Sequence, residues 1–323
     1  MRTFYRLLVL SILLNLVVCS WSIADSKYPE KPITLIVPNP PGGTADLQAR
    51  ALVQAAKNFL QTPIIIVNRP GGGGAVGVYE VIQAKPNGYT IGVAGPGNCL
   101  MVPLISKAPY KGLEDFLPVI KLNKSPVVFV VQAHSPWKSL GEVITYAKAN
   151  PGAFRVGTPG IGSLHHINLE MLKEMAKVEL THVPFAGGAE LTAAILGGHL
   201  EAVIIPPSVI AGHVKAGRVR VLGTFDEKRH PLFPETPTFR EVGYDITQCI
   251  YTFVYVPKGT PDPIVGTLHD ILKKSIQTDF FKKFAEDNGY IIDYKGPAAL
   301  TQEMQQDYTI YKEVVRKLNL REK

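Results

Sequence analysis

Short apolar runs alternate along the chain with longer amphipathic stretches. The runs at 33–37 and 89–94 are each followed by a Gly-containing turn, and the segment 44–60 after the first turn has helical spacing of its apolar residues. Strands that are apolar throughout and alternate with helices are typical of a sheet covered on both faces. The sequence therefore predicts an α/β fold with parallel sheet.

The same pattern predicts the other elements. Further strands are expected at 64–67, 127–131, 154–157, 180–183, 202–205, 219–224 and 248–256. Further helices are expected near 77–84, directly after the capping residues Ser139 and Ser163, and at 189–196, 261–275 and 297–320.

The order of these elements predicts two lobes, because the strand–loop–helix pattern restarts midway along the chain and later returns. We expect a first lobe of residues 28–124 plus 253–323, with a second lobe, 125–252, inserted into it. Hinge strands are expected near 125–131 and 248–256. A double crossing of this kind forms a hinge, and ligands usually bind in the cleft between such lobes.

Composition narrows the class of protein. The chain has 323 residues, 46% hydrophobic and 19% charged, which excludes intrinsic disorder and leaves room for two cores. The formal charge of +7 is spread thinly, and no dense Lys/Arg block marks a nucleic-acid groove.

The N-terminal segment has the layout of a secretory signal peptide, assigned to residues 1–24. Two arginines precede an apolar run at 7–18, and small residues lead to an expected cut after Ala24. A membrane anchor is the alternative, but polar Asn15 interrupts a segment that is short for a spanning helix. The sequence therefore predicts a protein of the periplasm.

Cysteine usage fits an exported protein without a lipid anchor. Lipid attachment at Cys19 is not expected, because Val18 is too bulky at the position just before it. The processed chain would keep Cys99 and Cys249 in a compartment that permits disulfides. Their large separation in sequence leaves pairing open, and we expect free buried thiols.

The segment 38–46, PNPPGGTAD, offers a site for an anion. It joins a predicted strand to a helix, and Gly42 and Gly43 let the backbone turn sharply with their N–H groups unshielded. The first turn of a helix presents N–H groups without intrahelical acceptors at the positive end of its dipole, where a carboxylate binds well. An ordinary strand–helix turn capped by Thr44 or Asp46 accounts for the same residues equally well.

Two loops of the expected second lobe have the same character. The segments 157–163 and 185–189 both combine glycines with the start of a helix. In a doubly wound arrangement these junctions face one cleft together with 38–46. A ligand carboxylate would then be held by neutral donors, without a buried arginine.

The glycine run at 72–77 formally matches the G-x-G-x-x-G pattern of dinucleotide sites. Such a site also needs an acidic residue about 20 positions further on, and 94–98 contains none. We interpret the run as a tight structural loop held by Asn68 and Arg69.

No catalytic or metal-binding pattern is present in the sequence. His165 and His166 are adjacent and cannot share the helix face that a zinc pair requires, and the other histidines are scattered. Neither a G-x-S-x-G nor a C-x-x-C motif occurs. We expect no enzyme activity, no catalytic residues, no metal and no cofactor.

Seven stretches in order resemble the Bug (TctC-type) family of periplasmic solute receptors, which serve tripartite tricarboxylate transporters. They include the 38–46 segment, and the resemblance covers roughly residues 28 to 320. The matching stretches are 31–46, 67–74, 85–90, 149–152, 157–165, 182–187 and 257–261.

The resemblance implies a two-lobed Venus-flytrap fold of the type II periplasmic binding proteins, which closes on a small carboxylated solute. It further implies membrane transporter subunits as partners, and we expect a monomer. Asp46 would support the helix start beside the ligand. The ligand-binding residues implied are Pro40, Pro41, Gly42, Gly43, Thr44, Asp46, Gly95, Gly97, Asn98, Thr158, Gly160, Ser163, His165, Phe185, Ala186, Gly187, Ile205 and Pro206.

Two departures from the family pattern bear on the ligand. Many members have Tyr-Lys-Gly where this chain has Phe185-Ala186-Gly187, and the loop at 204–208 lacks the acidic or amide residue that relatives often have. Both changes make the distal half of the pocket more apolar. We expect a mono- or dicarboxylate with a hydrophobic or aromatic body rather than citrate.

Two other functions fit an exported α/β protein. An α/β hydrolase could use the same cleft, but no nucleophile and base stand at a suitable spacing. A sensor partner that presents its ligand to a signalling domain has the same sequence features as a transport receptor. Transport is the expected function.

Overall fold

A computed structural model of the chain describes residues 28–185 and 187–320. The predicted signal peptide, with Cys19, lies outside the described residues, and so does Ala186.

The described residues form strands and helices in alternation. The strands are β1 (Ile33–Val37), β2 (Ile64–Asn68), β3 (Thr90–Ala94), β4 (Phe116–Ser125), β5 (Val128–Gln132), β6 (Arg155–Thr158), β7 (Thr181–Pro184), β8 (Ala202–Ile205), β9 (Val219–Thr224), β10 (Ile250–Pro257) and β11 (Ile291–Lys295). The α-helices are α1 (Thr44–Ala56), α2 (Ala75–Ile82), α3 (Val102–Ile105), α4 (Leu140–Ala149), α5 (Leu164–Ala176), α6 (Gly188–Leu196), α7 (Pro207–Lys215), α8 (Asp262–Ile276), α9 (Asp279–Asp287) and α10 (Pro297–Leu318).

The strands are divided between two sheets. The six-stranded sheet has the order β11-β4-β10-β3-β1-β2, and the five-stranded sheet has the order β7-β6-β8-β5-β9. All strands of the five-stranded sheet lie in the chain between β4 and β10, so one sheet is inserted into the other. The lobe boundaries given above stay a prediction.

Both sheets are mixed, whereas the apolar pattern predicted parallel sheet. β1 pairs in parallel with β2 and β3, but β10 runs antiparallel to β3 and β4. In the second sheet β6 is parallel to β7 and β8, and β5 is antiparallel to β8 and β9. β11 is also antiparallel to β4. The parallel neighbours are joined through helices, whereas the strands that border the two connections between the sheets, β4, β5, β9 and β10, run antiparallel to their neighbours. Burial of a strand on both faces therefore does not fix its direction.

Helices cover both faces of the six-stranded sheet. Leu35 of β1 belongs to an apolar cluster that also contains buried residues of α1 and α8. Its neighbour Ile36 belongs to a second cluster, with residues of α2 and α10. Successive side chains of a strand point to opposite faces, so β1 contributes to two cores.

Five of these strands and α-helices were not predicted: α3, β4, α7, α9 and β11. β4 escapes the pattern because it contains charged residues, and Lys121 at its centre is fully buried. Its ammonium group lies 2.6 Å from a carboxylate oxygen of Asp293 and 2.8 Å from one of Glu303. α7 begins at Pro207, which resembles a loop in sequence although proline is well tolerated in the first turn of a helix.

Two predicted helix starts are confirmed by hydrogen bonds. Ser139 Oγ accepts from the Glu142 N–H, and Ser163 Oγ accepts from the His166 N–H, each at 3.3 Å.

Cys99 and Cys249 are free thiols in the structure. Within the described residues, no helix has the length and apolar character that a bilayer span requires.

Candidate functional site

A cavity of about 240 Å³ lies where the two sheets meet. One side of the cavity is formed by the end of β4, the start of β10, the first turns of α1 and Tyr290. The other side is formed by the first turn of α7 and by Pro206, which precedes it. The structure describes eleven residues that line it, and all are uncharged: Thr44, Gln48, Asn123, Ser125, Pro206, Ser208, Val209, Ile250, Tyr251, Thr252 and Tyr290.

Asp46 fixes the start of α1. Its buried carboxylate accepts from the Gly42 N–H at 2.8 Å, from two guanidinium nitrogens of Arg50 at 2.8 and 3.1 Å, and from Asn68 Nδ2 at 3.0 Å. Burial by itself would raise the pKa of Asp46, but these hydrogen bonds from Arg50, Gly42 and Asn68 hold it below its usual value. The Gly42 N–H is therefore used within the chain.

Thr44 is the residue of the 38–46 segment that reaches the cavity. The Gly43 N–H also has an internal acceptor, the Pro40 carbonyl at 3.3 Å. Thr44 is the first residue of α1, and the first N–H groups of a helix have no acceptor within it. The donors that α1 can offer a ligand are thus those of its first turn, rather than those of the two glycines.

A polar network lines the six-stranded side of the cavity. Asn123 Nδ2 donates to Gln48 Oε1 at 2.9 Å in the buried interior. Burial raises the pKa of Tyr290, and hydrogen bonds to the side chains of Gln48 and Thr44 partly offset that rise. Tyr290 is therefore a neutral phenol at neutral pH, joined to Asn123 through Gln48.

The first turn of α7 forms the opposite wall. Pro207 lacks an N–H, and Ser208 follows it in the first turn, facing the cavity. The positive ends of two helix dipoles, those of α1 and α7, therefore lie at the same cavity. Each end favours a negative group, and both do so without a charged side chain.

Predicted residues of the five-stranded side have partners of their own. Thr158 Oγ1 lies 2.7 Å from His182 Nε2, and Ser163 Oγ donates to the Gly160 carbonyl at 2.8 Å while it caps α5. The predicted residues among these, Thr158, Gly160 and Ser163, do not line the cavity. Their role as ligand contacts stays a prediction.

His165 and His166 are both buried but differ in their surroundings. Neither ring nitrogen of His165 has a hydrogen-bond partner among the described residues, and burial lowers its pKa to about 3, so the ring is neutral. The His166 ring stacks on His182 with the ring centres 3.9 Å apart, and its Nδ1 accepts from the Gly162 N–H at 3.1 Å. His165 does not line the cavity.

The glycine loop is held by Asn98 rather than by Asn68. Asn98 Nδ2 donates to the Gly73 carbonyl at 2.8 Å, and a Cβ on Gly74 would lie only 2.4 Å from that nitrogen. Asn68 instead donates to the Asn39 carbonyl and to Asp46. This hydrogen bond fixes the side chain of Asn98, a predicted contact residue, against the loop. Gly74 is required there because any side chain would collide with Asn98.

The remaining predicted residues lie in the cavity wall, in an apolar core or at the surface. Pro206 lines the cavity, whereas Ile205 is fully buried in the apolar cluster around β5 and β8, which Phe185 also contacts. Pro40 and Pro41 are exposed, as is Gly97, and Gly95 and Gly187 are half-buried. Of the seventeen predicted residues that the structure describes, Thr44 and Pro206 thus line the cavity.

Nine lining residues were missed by the sequence reasoning. Most of them lie on β4, on β10 or at Tyr290, away from the glycine-rich loops that carried the prediction. Polar residues at the end of a buried strand, such as Asn123 and Ser125, were the available signal. That signal was lost because β4 itself was not predicted.

A second cavity, of about 440 Å³, borders the same two strands and is strongly charged. Lys124 Nζ lies 2.5 Å from Asp226 Oδ1 there, and the Tyr251 hydroxyl donates to Asp307 Oδ2 at 2.8 Å. Burial raises the pKa of Asp307 to about 6. Tyr251, which lines the first cavity, thus bonds to a residue that lines the second. Among the described residues, no group of three His, Cys, Asp or Glu side chains is placed to hold a metal ion.

An uncharged cavity between two α/β units, one inserted into the other, is typical of proteins that bind and release small molecules. The family model "Tripartite tricarboxylate transporter family receptor" (TctC) matches residues 48–320. The chain therefore belongs to this family of periplasmic solute-binding receptors.

Individual relatives agree with this assignment. A Cupriavidus necator protein described as "UPF0065 protein in gbd 5'region" is 36% identical over 258 residues, covering 80% of this chain and 78% of the relative. A TctC solute-binding protein from Polaromonas, crystallised without ligand, has 32% identity and a TM-score of 0.82, covering 90% of this chain and 99% of the other.

Two solved structures of similar fold contain organic acids. A protein of R. palustris with adipate has 26% identity and a TM-score of 0.74, covering 90% of this chain and 97% of the other. MatC from Rhodopseudomonas palustris with bound malate has 27% identity and a TM-score of 0.72, covering 89% of this chain and 100% of the other.

Proposed function

We propose that this receptor binds a small acid with one or two carboxylates and an apolar or aromatic body in the cavity between the two sheets. It would then deliver the acid to membrane subunits of a transporter. The observation that carries the proposal is the meeting of two helix N-termini, those of α1 and α7, at one uncharged cavity.

The lining supports an acid with few charges. Each helix end suits one carboxylate, and the described residues that line the cavity include no lysine or arginine to compensate a third. Moving an uncharged polar group out of water without a new hydrogen bond already costs about 2–7 kcal/mol. An uncompensated charge costs more than that. Citrate therefore suits this cavity less well than adipate or malate, the acids held in the two similar structures.

The apolar part of the lining supports a hydrophobic body for the ligand. Val209 and Ile250 line the cavity together with Pro206. Burial of each methylene group contributes about 0.8 kcal/mol. A ligand with methylene groups or a ring between or beside its carboxylates would use this surface.

We further infer that the protein works as a monomer in the periplasm after cleavage behind Ala24, without a lipid at Cys19. N-terminal sequencing of the exported protein and its sedimentation in solution test these two points.

The first experiment is calorimetric titration with a panel of acids: malate, adipate, benzoate, phenylacetate and citrate. Binding of an aliphatic dicarboxylate or an aromatic acid, with citrate weaker, is the expected result. Tight citrate binding with no response to the other acids would contradict the proposed ligand class.

A proline substitution tests the role of the α1 amides. Thr44→Pro removes one N–H at the first helical position, where proline is tolerated, and Gly43 before it already has the extended conformation that proline requires (φ −76°, ψ 167°). A hydrogen bond to a charged group contributes about 1.5–3 kcal/mol, so the affinity should fall by about 10- to 150-fold. The matched control, Thr44→Ala, keeps the N–H and should lose less. Equal affinities for the two variants would show that the amide does not contact the ligand.

A further inference from the structure

The turn that follows α9 is fixed by its own hydrogen bonds. The Gly289 N–H donates to the Glu286 carbonyl at 3.0 Å, and the Tyr290 N–H donates to the Ala285 carbonyl at 2.8 Å. Gly289 has φ +68°, the left-handed conformation in which helices commonly end. This ending sets the direction in which Tyr290 leaves the helix.

The same turn contacts the five-stranded side of the molecule. A Cβ placed on Gly289 would lie 3.5 Å from the backbone nitrogen of Ser208 and 3.4 Å from Leu232 Cδ1. Gly289 thus packs against the first turn of α7, one of the two walls of the cavity. Tyr290, the next residue, lines the cavity itself.

The Tyr290 side chain is held from two directions. Its ring centre lies 6.0 Å from that of Phe284 on α9, and its hydroxyl bonds to the side chains of Gln48 and Thr44. Gln48 is in turn held by Asn123. The phenol is therefore fixed beside the first turn of α1, at the point where Gly289 brings the opposite wall into contact.

We propose that Tyr290 closes one end of the cavity and sets the length of acid that the receptor accepts. The proposal rests on the proposed function of the cavity and adds its specificity-determining residue. An acid longer than the space in front of the phenol would have to displace Tyr290 from Gln48 and Thr44, or separate Gly289 from Ser208. A shorter acid would leave the apolar surface near Tyr290 without contacts.

The test is calorimetric titration of a series of α,ω-dicarboxylates with four to eight carbons. The wild-type receptor should have an affinity maximum at one length. In Tyr290→Ala the affinity should keep rising past that length, by about fourfold for each further methylene buried. Tyr290→Phe removes only the hydroxyl and should keep the wild-type length maximum, with all acids weakened by a similar factor.

Two further variants control for stability and for the loss of a tyrosine as such. Tyr290→Leu keeps an apolar side chain but is shorter, and it should move the maximum in the same direction if Tyr290→Ala does not fold. Tyr294→Ala removes an exposed tyrosine of β11 that does not line the cavity, and it should leave the length profile unchanged.

The outcomes separate the two proposals. If Tyr290→Ala and Tyr290→Leu weaken all acids equally and keep the wild-type maximum, Tyr290 is a structural residue and this inference is wrong, while the proposed function stands. If the wild-type receptor binds none of the mono- or dicarboxylic acids tested, the proposed function fails, and the inference fails with it.

Discussion

Asp307 on α10 should make the stability of this protein depend on pH. Burial raises the pKa of its carboxyl to about 6 from an ordinary value of 3.8, against the opposing effect of the hydrogen bond from Tyr251. A carboxyl whose pKa is higher in the folded state stabilises the fold only while it is protonated. Its contribution is complete below about pH 4 and is lost as the pH rises through 6. The difference between a pKa of 3.8 and one of about 6 corresponds to about 3 kcal/mol.

Asp307→Asn isolates this effect, because the amide has the same shape, cannot ionise and can still accept the Tyr251 hydrogen bond. At pH 8 the variant should be more stable than the wild type by up to about 3 kcal/mol, and at pH 4 the two should differ little. Urea unfolding at both pH values measures the difference. The matched control is Glu227→Gln, an exposed acid of the same charged cavity, which should change stability by less than about 0.5 kcal/mol at either pH.

Charged groups around Asp307 decide whether the reasoning holds. Glu303 opposes its ionisation, whereas Lys121 and Lys295 favour it. If Asp307→Asn is less stable than the wild type at pH 8, the lysines hold the carboxylate ionised and burial is not the dominant effect. A difference that does not vary with pH would equally refute the argument.

Two other substitutions test the fold. Lys121→Met should destabilise the protein by about 2–4 kcal/mol in urea unfolding, because it leaves Asp293 and Glu303 without their buried partner, although both retain some contact with water. Lys295→Met, whose side chain is partly exposed, is its control and should cost less than about 1 kcal/mol. Ser163→Ala should lower the free energy of unfolding by about 1 kcal/mol through loss of the α5 cap, and an unchanged urea midpoint would contradict that role.

The local sequence pattern was sufficient to predict an element where its residues favour one structure only. β8 is apolar throughout and β1 is apolar except for Thr34; both lie where the sequence predicts them, and Ser163 caps α5 as expected. The family was also evident from the 38–46 segment and the stretches after it, and the TctC family model confirms it.

Long-range contacts account for what the sequence did not predict. Lys121 can occupy a buried strand only because Asp293 and Glu303, far away in the chain, neutralise it. Tyr290 reaches the cavity only because the left-handed Gly289 ends α9 beside α7. Neither relation has a spacing that can be recognised from one sequence, so the walls of the cavity were largely missed.

The uncharged lining of the cavity also affects the receptor when no acid is bound. A buried arginine or lysine would remain without a partner in the empty state, and a lone buried charge is unfavourable by several kcal/mol. Neutral amides and hydroxyls can instead exchange an acid for water with little electrostatic change. The empty receptor therefore stays folded without a compensating charge, and release of the acid requires no separation of opposite charges.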